Sequence, residues 1–328
     1  MRRTTGRIVD LCVADGGREE EPFTAILRRQ CDVRKLRCVI CNDANIQRIL
    51  RDTETGRLRM GMCLDMFGHP ENTGTPYTRL TYAAKDVGTF VINDPENAAR
   101  AENKATVHYE FLRADIPVPY TVIARNWQPS GFRLSSSEKR RLGSPFFVKP
   151  ARGYGKQGVV RIERGSVKEI ARARRFDPGD DFLLQKSISP VWIGHRMGWF
   201  RALFLAGEVV LCWWDTVTQH YEPVTVRQYS ELGLARVADM AFRIAGVLGM
   251  DFFSTEIAMV KASRGYRFVS VDYANHPIDL PMQTFSHSGV PDAIVEHVAG
   301  RIADLALDLS RGEPGENTAG VWFAGGRE

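Results

Sequence analysis

A lysine that ends an apolar run and precedes a glycine-rich loop is the part of this sequence best suited to chemistry. Residues 146–159 read FFVKPARGYGKQGV, so Lys149 is followed by glycines at positions 153, 155 and 158. Glycines let backbone N–H groups turn toward phosphate oxygens without a Cβ in the way. The spacing fits neither a Walker A loop nor a dinucleotide-binding fingerprint, because a strand, not a helix, is predicted to follow. Taken alone, this segment supports a phosphate-binding loop and a plain hairpin loop equally.

The pair Cys38 and Cys41 has the C-x-x-C spacing of redox and zinc sites. No second C-x-x-C accompanies it, and no histidine pair stands at zinc-ligand spacing. We therefore favour two cysteines on a buried strand over a metal or redox pair.

The composition predicts a globular protein with room for more than one domain. The chain has 328 residues, of which 44% are hydrophobic and 25% charged, ordinary values for such proteins. No run of about 18 apolar residues is present, so we expect no membrane span or membrane partner. The apolar stretch after the basic N-terminus contains Asp10 and ends at Asp15, which does not fit a signal peptide. We expect a cytoplasmic protein with reduced cysteines.

The net charge of +5 makes the chain mildly basic, with clusters at 133–141 and 161–175. Such clusters either meet a negatively charged partner or form a solvated helix face. No nucleic-acid-binding motif accompanies them, so we expect no nucleic-acid partner. We favour a solvated face with some contribution to nucleotide binding.

The elements predicted to position these residues alternate between strand and helix, which indicates an α/β fold with a parallel sheet near the N-terminus. The N-terminal pattern predicts a strand at 7–14, a helix at 22–34 and a strand at 36–41, and residues 47–81 give no clear pattern. One helix is predicted at 95–115, ended by the prolines at 117 and 119. Further strands are predicted at 146–149, 158–163 and 182–185, hairpins at 201–214 and 254–273, and helices at 234–248 and 291–309.

Four segments in order along the chain resemble the ATP-grasp superfamily, especially its glutathione-synthetase-like and ribosomal-S6-modification-like branches. The first is VINDP at 91–95 with Asn103-Lys104 and IPVPYT at 116–121; the second is VKP at 148–150 with the glycine loop. The third is LLQKSI at 183–188 with Arg201 in the following hairpin, and the fourth is Glu256 with VDYANHP at 271–277. The ordered set covers residues 90 to 300 and is more specific than any one segment.

The resemblance implies roles for individual residues around ATP. Lys104 and Lys149 would contact the phosphates, and the loop residues would close over them: Gly153, Tyr154, Gly155, Lys156 and Gly158. Adenine would meet Gln185 and the backbone of Lys186 to Ile188. Arg201 would stabilise the transferred phosphoryl group, and with Lys149 it is the predicted catalytic pair.

The resemblance also implies a metal site made by Glu256, Asp272 and Asn275. These oxygen ligands suit Mg²⁺, completed by phosphates and water, with Mn²⁺ as an alternative. Two departures from the family pattern stand out. Asp272 and Asn275 are spaced one residue wider than the usual Glu-x-Asn, and no acid for the ribose follows Ile188.

The implied architecture is an ATP-grasp fold preceded by an N-terminal α/β (pre-ATP-grasp) domain. The predicted divisions are 1–95 for that domain, 96–190 for a central lid, 191–311 for a C-terminal subdomain and 312–328 for a flexible tail. The implied function is an ATP-dependent carboxylate–amine ligase that forms an acyl phosphate on an amino acid, a peptide or a carrier-bound carboxylate. The alternatives are a phosphotransferase acting on a hydroxyl and a non-catalytic ATP-binding protein. A homodimer is the oligomeric state that the resemblance implies.

Overall fold

The computed structural model describes residues 7–16, 22–67, 72–127, 132–153, 155–313 and 319–324. The helices within these residues are α1 (Pro22–Val33), α2 (Ile46–Glu54), α3 (Pro76–Asp86), α4 (Pro95–Ala101), α5 (Lys104–Arg113), α6 (Ser136–Leu142), α7 (Val167–Ala173), α8 (Val226–Glu231), α9 (Ala235–Leu248) and α10 (Asp292–Arg311). The strands are β1 (Arg7–Ala14), β2 (Cys38–Cys41), β3 (Leu58–Asp65), β4 (Phe90–Ile92), β5 (Thr121–Ala124), β6 (Phe146–Pro150), β7 (Val160–Ile162), β8 (Phe182–Lys186), β9 (Trp192–Ile193), β10 (Arg196–Met197), β11 (Trp199–Leu205), β12 (Glu208–Trp214), β13 (Tyr221–Pro223), β14 (Phe252–Lys261), β15 (Tyr266–Asn275) and β16 (Gly320–Trp322). None of these helices combines the length and the apolar character that a bilayer crossing requires.

The chain divides into two compact units, each built from separate segments. Unit 1 comprises Met1–Ala99, Arg201–Ser254 and His276–Glu328, and unit 2 comprises Arg100–Phe200 and Thr255–Asn275. The division expected from the sequence has four consecutive segments, whereas each of these units combines segments that are far apart in the chain. The four-part division stays a prediction.

Unit 1 contains the parallel sheet that the N-terminal pattern predicts. Its strand order is β2-β1-β3-β4, and every neighbouring pair is parallel. The connections run through α1, α2 and α3, so the α/β class is confirmed. Residues 47–81, which gave no clear pattern, hold most of α2, all of β3 and the first turns of α3. The C-x-x-C pair lies on β2, with Cys41 buried and Cys38 half-buried, and both thiols are free.

The C-terminal stretch expected to be a flexible tail contains a strand. In unit 1, β16 pairs in parallel with β12, with Val209 opposite Val321. Two aromatic contacts explain why this segment packs. The Trp322 ring stacks on His297 with 4.0 Å between centroids, and Phe323 meets the Tyr229 ring edge-on at 5.3 Å. Aromatic packing therefore holds a half-buried stretch whose composition suggested fraying.

Unit 2 is built on a four-stranded antiparallel sheet of order β5-β8-β6-β7. Alternate side chains of β6 are buried, and Phe146 and Val148 pack with Leu184 of β8 in one apolar cluster. Lys149 points to the other face, since side chains alternate along a strand. The sheet thereby carries the phosphate-loop lysine on a strand flanked by two others.

The single helix predicted at 95–115 is wrong, because the structure has two helices with a break at Glu102 and Asn103. The side-chain oxygen of Asn103 accepts hydrogen bonds from the backbone N–H groups of Ala105 and Thr106, each at 3.1 Å. An asparagine in extended backbone that accepts such bonds starts a new helix instead of continuing the previous one. The break makes Lys104 the first residue of α5.

Replacing Asn103 with alanine is expected to lower the free energy of unfolding by about 1 kcal/mol, because two first-turn N–H groups lose their acceptor. Urea denaturation measures the difference. The control is Thr106→Ala, an exposed change in the same turn that leaves the cap in place. Equal stability of both variants would show that the cap contributes nothing.

Candidate active site

Lys149 sits at the end of β6 and is half-buried. Its Nζ donates a hydrogen bond to the backbone carbonyl of Val271 at 3.3 Å, which links β6 to β15 within unit 2. The bond brings the phosphate-loop lysine to the strand that carries Asp272 and Asn275. Two segments that are about 120 residues apart in the sequence thus meet at one ammonium group.

Lys104 holds the beginning of the glycine loop. Its backbone N–H donates to the Ala151 carbonyl at 2.9 Å, and its Nζ donates to the Gly153 carbonyl at 2.6 Å. On the other side, the Arg152 N–H donates to the buried Asp180 carboxylate at 2.7 Å. Burial raises the pKa of Asp180, although the hydrogen bonds from the backbone N–H groups of Arg152 and Asp181 oppose the shift. The first residues of the loop are therefore fixed by both lysine and carboxylate contacts.

The loop itself adopts backbone conformations that favour glycine. Gly155 and Gly158 have φ angles of 60° and 70°, and Lys156 has a φ of 62°. A Cβ at Gly158 would lie 2.5 Å from the Phe176 ring, so only glycine fits there without a shift. Tyr154, another predicted loop residue, lies outside the described residues.

The three predicted metal ligands lie on the hairpin of β14 and β15 in unit 2. Glu256 is half-buried, and its Oε2 accepts a hydrogen bond from the Trp199 indole at 3.1 Å. The backbone carbonyl of Asp272 accepts from the Thr255 hydroxyl at 2.9 Å. The Nδ2 atom of Asn275, the last residue of β15, is buried without a hydrogen-bond partner in the described residues.

Two carboxylates and two ammonium groups interact in this part of unit 2. Burial lowers the pKa of Lys149, and the charge of Asp272 opposes that shift most strongly. The charge of Lys104 lowers the same pKa further, whereas Glu256 raises it. A half-buried lysine that interacts with a second cation and two anions is suited to bind an anionic group that is accompanied by its own bound cation.

The donor set fits a hard divalent cation. Two carboxylates and one amide are oxygen ligands of the kind that Mg²⁺ takes, with water and phosphate completing its shell. The Nδ2 atom of Asn275, which has no partner in the described residues, fits this use, because turning the amide puts its oxygen in that position. Across the described residues, no group of three or more His, Cys, Asp or Glu side chains has a metal-binding arrangement. The site would thus depend on Asn275 and the bound phosphates as well as on the two acids.

The segment predicted to meet adenine lies at the end of β8. Gln185 is only 2% exposed, and its Nε2 donates to the Tyr273 hydroxyl at 3.3 Å. Lys186 is exposed, and its backbone N–H donates to the Tyr120 carbonyl at 2.9 Å. Ile188 packs against the buried cluster of Ala258, Val260 and Val269, beside Trp199 and Val271. Ile188 thus borders an apolar surface, which suits the face of a purine.

Sequence reasoning missed a buried hydrogen-bond chain centred on Tyr273. The Tyr273 hydroxyl lies 2.7 Å from Nδ1 of His108 on α5, and its ring packs against Phe111 with 5.1 Å between centroids. Tyr273 stands between Asp272 and Asn275, so the chain anchors the predicted metal segment to α5 and, through Gln185, to β8. Tyr273 directly follows Asp272 in the strand, so the two side chains point to opposite faces. A large aromatic residue on the face opposite a charged one was the signal that could have identified Tyr273 as an anchor.

Burial, helped by the charge of Lys149, lowers the pKa of His108 to about 4. A group with a depressed folded-state pKa binds its proton only in the unfolded chain between about pH 6.5 and 4, so stability falls as the pH falls through that window. We expect the wild type to lose up to about 3 kcal/mol more than His108→Gln over this range. Urea denaturation at several pH values measures the loss, with the exposed His195→Gln as the control. Parallel pH profiles for all three proteins would contradict the assignment.

Arg201 belongs to unit 1, where its Nε donates to the Ser254 hydroxyl at 3.1 Å. Its guanidinium lies over the rings of Trp214 at 4.9 Å and Tyr221 at 5.5 Å. Both aromatic residues are buried, so they hold the plane of the guanidinium. The sequence analysis identified Arg201 but gave no sign of this aromatic support.

Asn93, part of the first family-like segment, has a structural role in unit 1. Its Oδ1 accepts from the backbone N–H groups of Asp251 and Phe252 at 2.9 and 2.8 Å. Its Nδ2 donates to the Phe252 carbonyl at 2.6 Å. Asn93 therefore fixes the start of β14, the strand that further on carries Glu256.

No model of a known protein family matches this chain. A curated protein matches over a short stretch: D-alanine–D-alanine ligase of Rhodococcus opacus (strain B4) is 37% identical over 65 residues, which are 19% of this chain and 17% of that ligase. The matched region thus spans less than a fifth of that relative's length.

Solved structures match over nearly the whole chain. A RimK domain ATP-grasp protein from Sphaerobacter thermophilus has a TM-score of 0.58 and 20% identity, covering 91% of this chain and 98% of that one. The ATP-grasp ligase PsnB, complexed with precursor peptide PsnA2 and AMPPNP, has a TM-score of 0.62 and 13% identity, covering 92% and 97%. PsnB with a minimal precursor, Mg and ADP has a TM-score of 0.62 and 14% identity, covering 92% and 98%. The chain therefore has the ATP-grasp fold, and the expected fold is confirmed.

Proposed function

We propose that this ATP-grasp chain is an ATP- and Mg²⁺-dependent ligase that activates a carboxylate and joins it to an amine. The observation that carries the proposal is that Lys104 holds the glycine loop while Lys149, at the start of that loop, reaches the strand that carries Asp272 in unit 2. Cations that meet phosphates and carboxylates that meet a metal are needed together wherever a nucleotide–Mg²⁺ complex binds. The ATP-grasp fold and its similarity to the solved ligase PsnB support the same activity.

Each polar group of the site has a task in this proposal. Lys149 binds a phosphate oxygen, and Lys104 keeps the glycine loop in position through the Gly153 carbonyl. Gly155 and Gly158 let the loop backbone approach the phosphates. In this proposal Gln185, Lys186 and Ile188 meet the base, and Ile188 contributes the edge of an apolar cluster. The whole arrangement positions reactants and neutralises charge, without a covalent bond to the protein.

Glu256, Asp272 and Asn275 would hold the metal. A Mg²⁺ ion held by these residues would supply charge neutralisation for phosphoryl transfer. Trp199 donates to Glu256 and so orients that carboxylate, and the Tyr273 chain holds the backbone of β15 in place. Such supporting contacts tune both metal affinity and ligand direction.

The proposed reaction has two steps. A carboxylate oxygen of the first substrate attacks the γ-phosphorus, the bond to the β-phosphate oxygen breaks, and ADP leaves. The amine of the second substrate then attacks the acyl carbon, loses a proton and displaces phosphate. In this proposal Arg201 stabilises the developing negative charge, with its plane held by Trp214 and Tyr221.

The proposed acid substrate is an amino acid or a peptide carboxylate. The complex of PsnB with a precursor peptide supports a peptide, and the local match to D-alanine–D-alanine ligase supports an amino acid. Both classes offer a carboxylate that ATP can activate and an amine that can accept it.

The test measures phosphate release from ATP and Mg²⁺ with pooled amino acids and dipeptides. For a substrate that responds, the carboxylate is then labelled with ¹⁸O. A ligase that forms an acyl phosphate transfers one ¹⁸O atom to the released phosphate, and release requires both an acid and an amine. A phosphorylated hydroxyl product without free phosphate would instead establish a phosphotransferase. Failure to bind ATP with Mg²⁺ would refute the proposal altogether.

A further inference from the structure

Basic residues from two separate segments meet around a cavity of about 330 Å³ in unit 2, on residues outside the candidate active site. Lys139 and Arg140 come from the last turn of α6, and Arg164 comes from the turn after β7. These are parts of the two basic clusters, at 133–141 and 161–175, that the sequence shows. The fold therefore joins two clusters that are separate in the chain into one cationic surface.

Glycines and one serine shape the wall of this cavity. Gly143 ends α6 with a φ of 74°, and Gly165 has a φ of 63°. A Cβ at Gly165 would lie 3.0 Å from the Phe146 ring, so a side chain there would press on the buried aromatic floor. The Ser144 hydroxyl donates to the Glu163 carbonyl and ties the two segments together. The wall is thus held by packing and hydrogen bonding, independently of the exposed cations.

The acids nearby are engaged elsewhere. Glu138 closes the capping box at Ser135, and Glu169 closes the one at Ser166. Glu163 pairs with Arg161. Ser166 lowers the pKa of Glu169 through its backbone and hydroxyl hydrogen bonds, and the charge of Arg164 adds a smaller contribution. None of the residues that line the cavity is acidic.

No salt bridge to Lys139, Arg140 or Arg164 occurs within the described part of the chain. Basic residues in a last helical turn do offset the helix dipole, which accounts for some of the charge on α6. That account does not extend to Arg164, which lies on a different segment. Arg141, in the same turn, lies over the Tyr120 ring, 3.9 Å from its centroid. Lys139 and Arg140, by contrast, line the cavity.

We infer that this cavity binds a small molecule that carries a phosphate group. Three positive charges in a cavity with no acidic lining residue match a dianionic or trianionic group, and an arginine guanidinium group can bind two phosphate oxygens at once. The volume is at the lower end of small-molecule sites and exceeds what a bare ion needs. The glycine-rich wall and the Phe146 floor leave room for the body of the ligand. The inference does not depend on the proposed ligase activity.

The test uses pyrophosphate as the probe, in EDTA so that no metal takes part, with melting temperature and calorimetric titration as the readouts. Four proteins are compared at constant ionic strength: the wild type, Arg140→Ala with Arg164→Ala, Arg172→Ala with Arg175→Ala, and Lys149→Ala. The second pair removes the same charge from exposed positions nearby that do not line the cavity. The Lys149 variant weakens the nucleotide phosphate site, which pyrophosphate could also occupy.

We expect pyrophosphate to raise the melting temperature of the wild type, of Lys149→Ala and of the Arg172/Arg175 control by about 2 °C. Loss of two cations should weaken binding to the Arg140/Arg164 variant by about tenfold or more. The four substituted arginines are exposed, so their replacement does not put folding at risk. A shift that disappears in Lys149→Ala but survives in Arg140/Arg164 would place the anion elsewhere and overturn the inference. Equal weakening in the control, or no shift in the wild type, would overturn it as well.

Discussion

Replacing Lys149 with methionine is expected to lower kcat/KM for ATP by about 100- to 1000-fold, the usual loss when a preorganised charge at a transferring group is removed. Methionine keeps most of the length of the side chain and removes the ammonium group. Burial lowers the pKa of Lys149, which means that the folded protein holds this charge at a cost. We therefore expect the free energy of unfolding to stay the same or rise. Stopped phosphate-release assays and urea denaturation measure the two effects separately.

The control is Lys168→Met, the same change at an exposed position of α7. It should leave both activity and stability unchanged, because Lys168 is a solvated side chain. If Lys149→Met retained wild-type activity while ATP still bound, Lys149 would not be the phosphate-binding lysine. If the variant unfolded more easily, the Lys149–Val271 hydrogen bond would matter more to the fold than to the reaction.

Replacing Asp272 with asparagine is expected to raise the Mg²⁺ concentration for half-maximal activity by about 100-fold or more, because a neutral amide is a much weaker ligand than a carboxylate. The change is nearly isosteric, and it leaves in place the backbone carbonyl of Asp272, which accepts from the Thr255 hydroxyl. The hairpin should therefore keep its structure. Titration with Mn²⁺, followed by electron paramagnetic resonance, gives a readout that does not depend on turnover.

Two comparisons make the Asp272 result specific. Glu256→Gln should also weaken metal binding, although its hydrogen bond from Trp199 can be kept by the amide oxygen. Asp239→Asn, an exposed change on α9, should have no effect on metal or activity. Unchanged Mn²⁺ binding in both Asp272→Asn and Glu256→Gln would show that the metal lies elsewhere.

Many elements of this protein could be predicted from local patterns. Pro22 in the first turn of α1 and Gly249 at the end of α9 are local signals, and each acts on backbone within a few residues. The break before α5 could also have been seen, since asparagine is a common helix cap. It was missed because the apolar pattern continues across residues 95–115 and outweighed one polar residue.

The ordered segments around Lys149, Gln185 and Asp272 were enough to predict the ATP-grasp fold, which the structural comparisons confirm. The individual roles of the site residues remain predictions. Residue type and spacing indicated which side chains carry charge. They gave no distances, because the Lys149–Val271 hydrogen bond joins residues that are 122 positions apart.

The sequence by itself determined the α/β class, the glycine loop after a strand and the identity of the charged residues, because these depend on short-range backbone preferences and residue chemistry. Only the tertiary structure decided that Tyr273, His108 and Gln185 form one buried chain behind the metal segment. It also decided that Lys139, Arg140 and Arg164 face one cavity and that β16 packs in the expected tail. Such contacts come from strands and helices that pack side by side though they are far apart in the chain. Burial and hydrogen bonding select these contacts after collapse, and no local pattern encodes which partners will meet.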